Sequence, residues 1–438
     1  MYENITSELI AFLAGAPTAF HAVAEEREIL AAAGYTELSE GRPWKLEEGG
    51  KYFVCRNESS LIAFRVPSFG FGSLMMAAAH SDSPTFRIKG EHPEMEACGA
   101  YTKLNVEKYG GAIMAPWLDR PLSVAGRLIL KKEGRFTTKL VKVDRDLVLI
   151  PNLAIHMNHD INDAKKFNAQ VDMLPLFGDE EAKEGFLKTI AAEAGVEASE
   201  IAAADLYLYS RVPGTVWGAK GEYFSSGRLD DLQCGYALLR GFLDAAENKA
   251  SLPVYCLFDN EEVGSGTKQG ADSTFLTDVL TRIAAAAGRT PEELKAAIAA
   301  GFMISADNAH AVHPNQPEKA DPLNQPKMNK GIVIKYHAGQ KYTTDSVSAA
   351  LFKEVCARAD VPVQEFFNRS DMSGGTTLGN IANSHVSLNT VDIGLPQLAM
   401  HSPYETAGTA DTAYLARALK EFYSLAITDE GQGCYTLK

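Results

Sequence analysis

The sequence predicts an α/β protein: a mixed, mostly parallel sheet with helices on both faces, interrupted by an inserted, largely β domain. Three observations carry this expectation. "SLMMAAAH" (residues 73–80) is a continuous apolar run ending on a polar cluster, as expected of a central strand buried on both faces. After Ser225, strand-like and helix-like segments alternate, the pattern of a sheet covered by crossover helices. Between about His92 and Tyr223 the character changes. There "VAGRLILKKEGRFTTKLVKVDRDLVLI" alternates apolar and polar residues around turns at Glu133-Gly134 and Asp144-Arg145, the signature of a small antiparallel sheet.

Taken in order, residues 5–13 and 19–33 read as two helices, followed by strands. Within the insertion, Pro116, Pro121, Pro151 and Pro175, then an alanine-rich acidic stretch at 182–204, predict irregular structure around the β segments. Residues 228–246 form a helical pattern, "LPVYCLF" a strand and 274–286 a helix. Thr290-Pro291-Glu292-Glu293 is a capping box with proline at the first helical position. Strands follow at "GFMISA" and "GIVIKY", a helix at 346–358, a strand at "VSLNTVDI" and a last helix at 409–423. With 438 residues, more than one core usually serves, the expected division is 1–91 and 224–438 for one domain and 92–223 for the insertion.

Composition excludes several classes. The 56 acidic residues against 42 basic ones give a net charge of -14, which argues against a nucleic-acid partner. No stretch approaches eighteen uninterrupted apolar residues, so no membrane partner is expected. "MYENITSELIAFLAG" lacks a basic leader region and is interrupted by Glu8, so it reads as an amphipathic helix rather than a signal peptide. Cys55, Cys98, Cys234, Cys256, Cys356 and Cys434 lie far apart with no CxxC, which disfavours a disulfide scaffold or thiolate metal site and suits a reducing, cytoplasmic setting.

The chemistry gathers where strands end. "LFDNEEVGSG" (residues 257–266) holds Asp259, Glu261 and Glu262 within four positions. Such crowding keeps a carboxyl protonated unless positive charge sits among the groups. His80 and Asp82 follow the apolar strand, Asp307 ends "GFMISAD", His401 lies in "LAMHSPYE" and Asp230 in "SSGRLDD". Singly, each has a structural explanation: a hydrogen-bonded histidine, a helix N-cap, a turn cap. Jointly they fall on one rim, because ligands of open α/β sheets bind at the carboxyl ends of strands. Imidazole with carboxylate and no thiolate suits Zn²⁺, Co²⁺ or Mn²⁺. Two histidines with three or more carboxylates exceed the needs of one ion, so two ions sharing a carboxylate are the natural reading, roughly 3.5–4 Å apart. Asp82 can accept the second ring N–H of His80 and fix its tautomer.

"HSDSP", "SGRLDD", "DNEEVGS", "ISADNAHAVHPN" and "QLAMHS", with "NLAIH" and "GGTTLGNI" between them, resemble the M18 metallo-aminopeptidases, the aspartyl aminopeptidase family and its bacterial members. The resemblance runs in order over nearly the whole chain. It implies a zinc-peptidase type of sheet, with the insertion serving dimerisation. It implies two divalent ions, zinc first, with His80, Asp230, Glu262, Asp307 and His401 as ligands and Asp230 bridging. Glu262 and His401 would complete one ion, His80 and Asp307 the other. A metal-bridging water would be the nucleophile, Glu261 its general base and Asp82 the group orienting His80. His156 would stabilise the oxyanion in a neighbouring subunit, direct metal contact being the alternative. Lys335, Gly375 and Met400 would bind substrate, Lys335 selecting acidic N-terminal residues of short peptides; on residue grounds alone Lys335 is equally a solvated strand-end lysine. His310 and His313 would be structural or pocket-wall residues. Dimers would assemble into a tetrahedral homododecamer. Two other readings stay open: a related metallohydrolase such as a carboxypeptidase or deacylase, and an inactive scaffold, against which the retained Glu261 argues.

Overall fold

The apolar run at 73–80 becomes the middle strand of the main sheet. In the computed structural model, which describes Tyr2 and residues 4–438, that sheet has nine strands among the described residues. From edge to edge they are Thr36–Glu37, Gly50–Arg56, Ser60–Val66, Ser251–Phe258, Ser73–His80, Phe302–Ala306, Asn389–Gly394, Ile332–Tyr336 and Val363–Phe367. The centre is parallel and antiparallel pairs flank it, so the sheet is mixed and mostly parallel as expected. Every residue of Ser73–His80 is buried. Met75, Ala77 and Ala79 join the core under helices Ile5–Gly15, Ala19–Ala32, Leu229–Asp244, Ser346–Arg358 and Asp411–Ser424. Leu74, Met76 and Ala78 face Phe275–Ala286, Pro291–Ala299 and Leu378–His385 on the other side. Two apolar layers on a period of two are what the unbroken run encoded.

A separate five-stranded antiparallel sheet is built from Arg135–Lys142, Leu122–Lys132, Ile201–Ser210, Thr85–Ile88 and Val106–Tyr109, over its own core of Phe86, Val124, Phe186 and Leu206. Its hairpin turns at Glu133 and Gly134, whose φ angles of 51° and 78° give the turn hand that matches strand twist. The stretch 182–204 is not irregular. It contains helix Phe186–Ala194, which buries Phe186, Ile190 and Ala194 at four-residue spacing, and then the start of the long strand Ile201–Ser210. Small alanines between the large apolar residues masked that stripe. The edge strand Val363–Phe367, the helix Leu378–His385 and the hairpin of Ile427–Gly431 with Cys434–Leu437 also lay outside the sequence expectation.

Register positions the site. His80 pairs with Phe258, and Ser305 with Ala78, so the segments after His80, Phe258 and Ala306 leave the sheet at one rim. A smaller five-stranded sheet of Thr215–Trp217, Tyr223–Ser226, Glu405–Gly408, Pro396–Leu398 and Ala309–His310 gathers the segments beside Asp230, His401 and Asp307.

One buried acid lies away from the rim. Glu26, on helix Ala19–Ala32, is fully buried; its Oε1 accepts from Tyr255 Oη at 2.8 Å and its Oε2 has no partner. Burial pushes the carboxyl up to about 8. A folded pKa above the ordinary 4.5 leaves stability intact below pH 4.5 and erodes it as pH rises towards 8. Glu26→Gln should flatten that decline and stabilise the protein by roughly 1–3 kcal/mol at pH 8. Thermal melts from pH 5 to 9 check this; parallel profiles for both proteins would show that Glu26 ionises freely.

Candidate active site

His80 ends its strand with an imidazole that is 1% exposed. Its Nδ1 faces the backbone oxygen of Asp82 at 3.0 Å and Asp82 Oδ1 at 3.4 Å. A carbonyl can only accept, so Nδ1 carries the proton and Nε2 keeps a free lone pair. That Nε2 lies 3.5 Å from Asp230 Oδ1. His401 is held by the same logic. Its Nδ1 donates to the backbone oxygen of Gly111 at 3.2 Å, and its Nε2 lies 3.3 Å from both Asp230 Oδ2 and Glu262 Oε1. The two oxygens of Asp230 thus face different imidazoles. Ligand atoms of His80, Asp230 and Glu262 fall within 4.8 Å of one another, and so do those of Asp230, Asp231 and Asp307.

The crowded acids of the 257–266 segment are oriented by Asp82. A 3-10 turn, Glu261–Val263, begins at Asn260, whose φ is 62°. The N–H groups of Glu261 and Glu262 donate to Asp82 Oδ1 and Oδ2 at 3.1 and 3.2 Å. Asp82 Oδ2 also accepts from Tyr109 Oη at 2.7 Å, and Asn260 Nδ2 donates to Tyr109 at 2.8 Å. Tyr109 comes from the separate antiparallel sheet, and the chain after it forms a strap over the site. A Cβ on Gly111 would lie 3.0 Å from His401 Nδ1, tighter than most side-chain contacts, so glycine suits this close passage of the backbone. Ile113 N–H then donates to the His401 carbonyl at 3.0 Å.

The electrostatics ask for cations. Burial, with repulsion from Asp307, Asp82 and Asp230, pushes Glu261 up to about 8. Burial, then Asp230, drives Glu262 well above the carboxylate range, and burial raises Asp307 to about 6 despite Lys335. Burial disfavours charge on His80, yet Asp230 and Asp82 outweigh it and hold its pKa high, so the carboxylates draw positive charge, a proton or a metal ion in its place, to Nε2. Asp230 Oδ1 and Glu262 Oε1 are buried with no hydrogen-bond partner. Acceptor atoms converging without donors, beside two outward-turned imidazole lone pairs, fit divalent ions.

The structure brings together His80, Asp82, Asp230, Glu261, Glu262, Asp307 and His401. It does not bring His156 there: that residue is exposed on the 3-10 turn Ile155–Met157. Lys335 is buried rather than solvated, its Nζ donating to Asn308 O at 2.9 Å and lying 3.7 Å from Asp307 Oδ2. Gly375 and Met400 line a cavity of about 310 Å³ whose wall also carries His310, His313, Lys319 and Arg369. Sequence reasoning missed Tyr109, Asn260, Gly111 and Glu405. The paired glycines of "YGGAI" were the one available signal.

An α/β sheet that gathers imidazoles and carboxylates without thiolate on its rim defines a metal-dependent hydrolase. Residues 12–423 match the family model of the Aminopeptidase I zinc metalloprotease (M18). A probable M18 family aminopeptidase 2 of Clostridium novyi is 48% identical over 433 residues, 96% of this chain and 99% of the relative. A cryo-EM structure of the Ape4 and Nbr1 complex superposes with a TM-score of 0.92 at 36% identity, covering 96% of this chain and 86% of that one. The mApe1 dodecamer of S. cerevisiae gives 0.84 at 29%, covering 96% and 97%. The chain belongs to the M18 family and is a metallo-aminopeptidase, a peptide hydrolase. No helix among the described residues is long and apolar enough to cross a membrane.

Proposed function

We propose a cytoplasmic, dinuclear aminopeptidase that removes N-terminal residues, preferentially Asp or Glu, from short peptides. The observation that carries the dinuclear reading is Asp230, whose two buried oxygens face His80 and His401 at 3.5 and 3.3 Å. Asp230 would bridge, Glu262 and His401 would complete one site, and His80 and Asp307 the other. Zinc is the first choice; manganese and cobalt suit the same donors. Divalent ions held there would supply Lewis acidity towards a water and towards the scissile carbonyl. Glu261 takes the proton of that water and returns it to the leaving amine. Asp82 holds His80 in its tautomer and fixes the backbone that carries Glu261 and Glu262. His156 donates to the developing oxyanion from a neighbouring subunit. Its exposure, with Leu153 and Met157 at 53% and 68%, supports an intersubunit position. The dodecameric likeness supports an assembly of twelve subunits, which we read as built from dimers.

Acidic preference rests on local positive charge within a chain of net charge -14. Lys335 is the cation inside the ligand cluster, and Lys319 lines the cavity of Gly375 and Met400, where Arg369 is already paired with Asp371 and Asp321 also lies on the wall. Fluorophore release from Asp, Glu, Leu and Lys conjugates, after chelation and after zinc is restored, tests the whole reading. Release only with metal, about tenfold or more faster for Asp and Glu, is expected. Leu in the lead would remove the acidic preference, and equal cleavage of N-acetylated peptides would point to a deacylase-like or endopeptidase chemistry.

A further inference from the structure

Glu405 is 2% exposed and lies in the small sheet at the rim, paired with Ser226. Four donors converge on its carboxylate. Oε2 accepts from the N–H groups of Leu229 and Asp230 at 2.7 and 3.2 Å. Oε1 accepts from the N–H of His401 at 2.8 Å and from Gln397 Nε2 at 3.3 Å. One side chain therefore ties the backbone of Asp230 to the backbone of His401, the pair whose side chains meet at 3.3 Å. The tie continues inward. Gln397 Oε1 accepts from Asn308 Nδ2 at 2.6 Å, and the backbone oxygen of Asn308 accepts from Lys335 Nζ, which neighbours Asp307. Hydrogen bonds thus run beneath the cluster from His401 as far as Lys335, whose Nζ lies 3.7 Å from Asp307 Oδ2.

We infer that Glu405 is a positioning residue for the metal ligands, setting the separation of Asp230 and His401 across two loops that the sequence places far apart. It touches no reacting atom. The donors explain why the residue is an acid: both oxygens must accept, and an amide offers one accepting end only. Glutamine would turn an NH₂ group onto either the Leu229 and Asp230 N–H pair or the His401 N–H, releasing one loop. Outer partners of metal ligands act in this way by fixing orientation before an ion arrives.

The inference rests on the dinuclear reading, and the test separates the two. Zinc content per subunit and zinc affinity are measured for the parent and for Glu405→Gln, on full-length protein stripped by chelator and refilled against a competing chelator. The parent should take up two ions. Glu405→Gln should bind zinc about 10–100-fold more weakly, lose kcat at limiting zinc and recover part of it in excess zinc, with little change in KM. A purely structural role would lower the melting temperature of the stripped variant below that of the stripped parent yet leave zinc affinity unmoved, and that result overturns the inference. So does parental affinity and kcat in the variant. A parent holding one ion would sink the dinuclear reading, and the inference would then be decided by whether that ion's affinity falls in Glu405→Gln. Should the amide fail to fold, Glu405→Asp keeps charge and acceptors but withdraws them by one methylene; the same weakening is expected, and undiminished affinity refutes the role.

Discussion

Glu261→Gln protein should carry the parental complement of zinc and hydrolyse peptides roughly a thousandfold more slowly. Glu261 is the acid assigned to the water rather than to an ion, so glutamine there leaves the proposed ligands His80, Asp230, Glu262, Asp307 and His401 in place. Its backbone N–H is fixed by Asp82 Oδ1, and glutamine keeps both that bond and the side chain's shape. What glutamine loses is the capacity to take and return a proton. Burial and the surrounding carboxylates push Glu261 up to about 8 against the pull of His80, in the range where a group both takes and returns a proton near neutral pH. Metal analysis alongside kcat decides the matter. A variant with zinc bound and half the parental rate would move the base to another residue.

The second large effect is expected from mixing subunits. His156→Phe alone should abolish most turnover with metal content unchanged, as Glu261→Gln does. If His156 serves a neighbour's site, an assembly re-formed from equal amounts of the two inactive variants contains sites pairing an intact Glu261 with an intact His156. Random mixing makes these about a quarter of all sites, so about a quarter of parental activity should return. Recovery of that size cannot arise within one chain, because neither variant holds both groups. No recovery from a verified mixed assembly would assign His156 to its own subunit's site or to none.

Much of this arrangement was legible in the chain. The run at 73–80 disclosed a strand with both faces covered because apolarity does not depend on the partner it meets, and that strand delivered His80 to the rim. Capping was equally local: Thr290 and Glu293 exchange the hydrogen bonds their spacing announced. Contacts made by backbone atoms could not be read. Gly111 acts through its carbonyl and its missing Cβ, and nothing in a glycine names the imidazole it approaches. Glu405 resembles any acid of a short strand until the Leu229 and His401 amides are seen pointing at it. The surroundings of Lys335 were hidden for a related reason: the solvated strand-end alternative fails because the residue is buried. Its strand lies one place in from the edge strand Val363–Phe367, and its charge is buried against Asp307.

The small sheet at the rim also bears on how the protein is made. Its strands come from residues near 215, 225, 309, 397 and 406, and the converging side chains span His80 to His401. A growing polypeptide emerging from the ribosome can form the hairpin of Leu122–Lys132 and Arg135–Lys142 early, since those contacts are local. The ligand set has no such early version, because its last imidazole, His401, and the carboxylate beneath it, Glu405, follow His80 only after the whole of the intervening insertion and most of the main sheet. Loading with metal therefore waits until segments far apart in the chain have met, and a chain cut short of His401 lacks one of the proposed ligands.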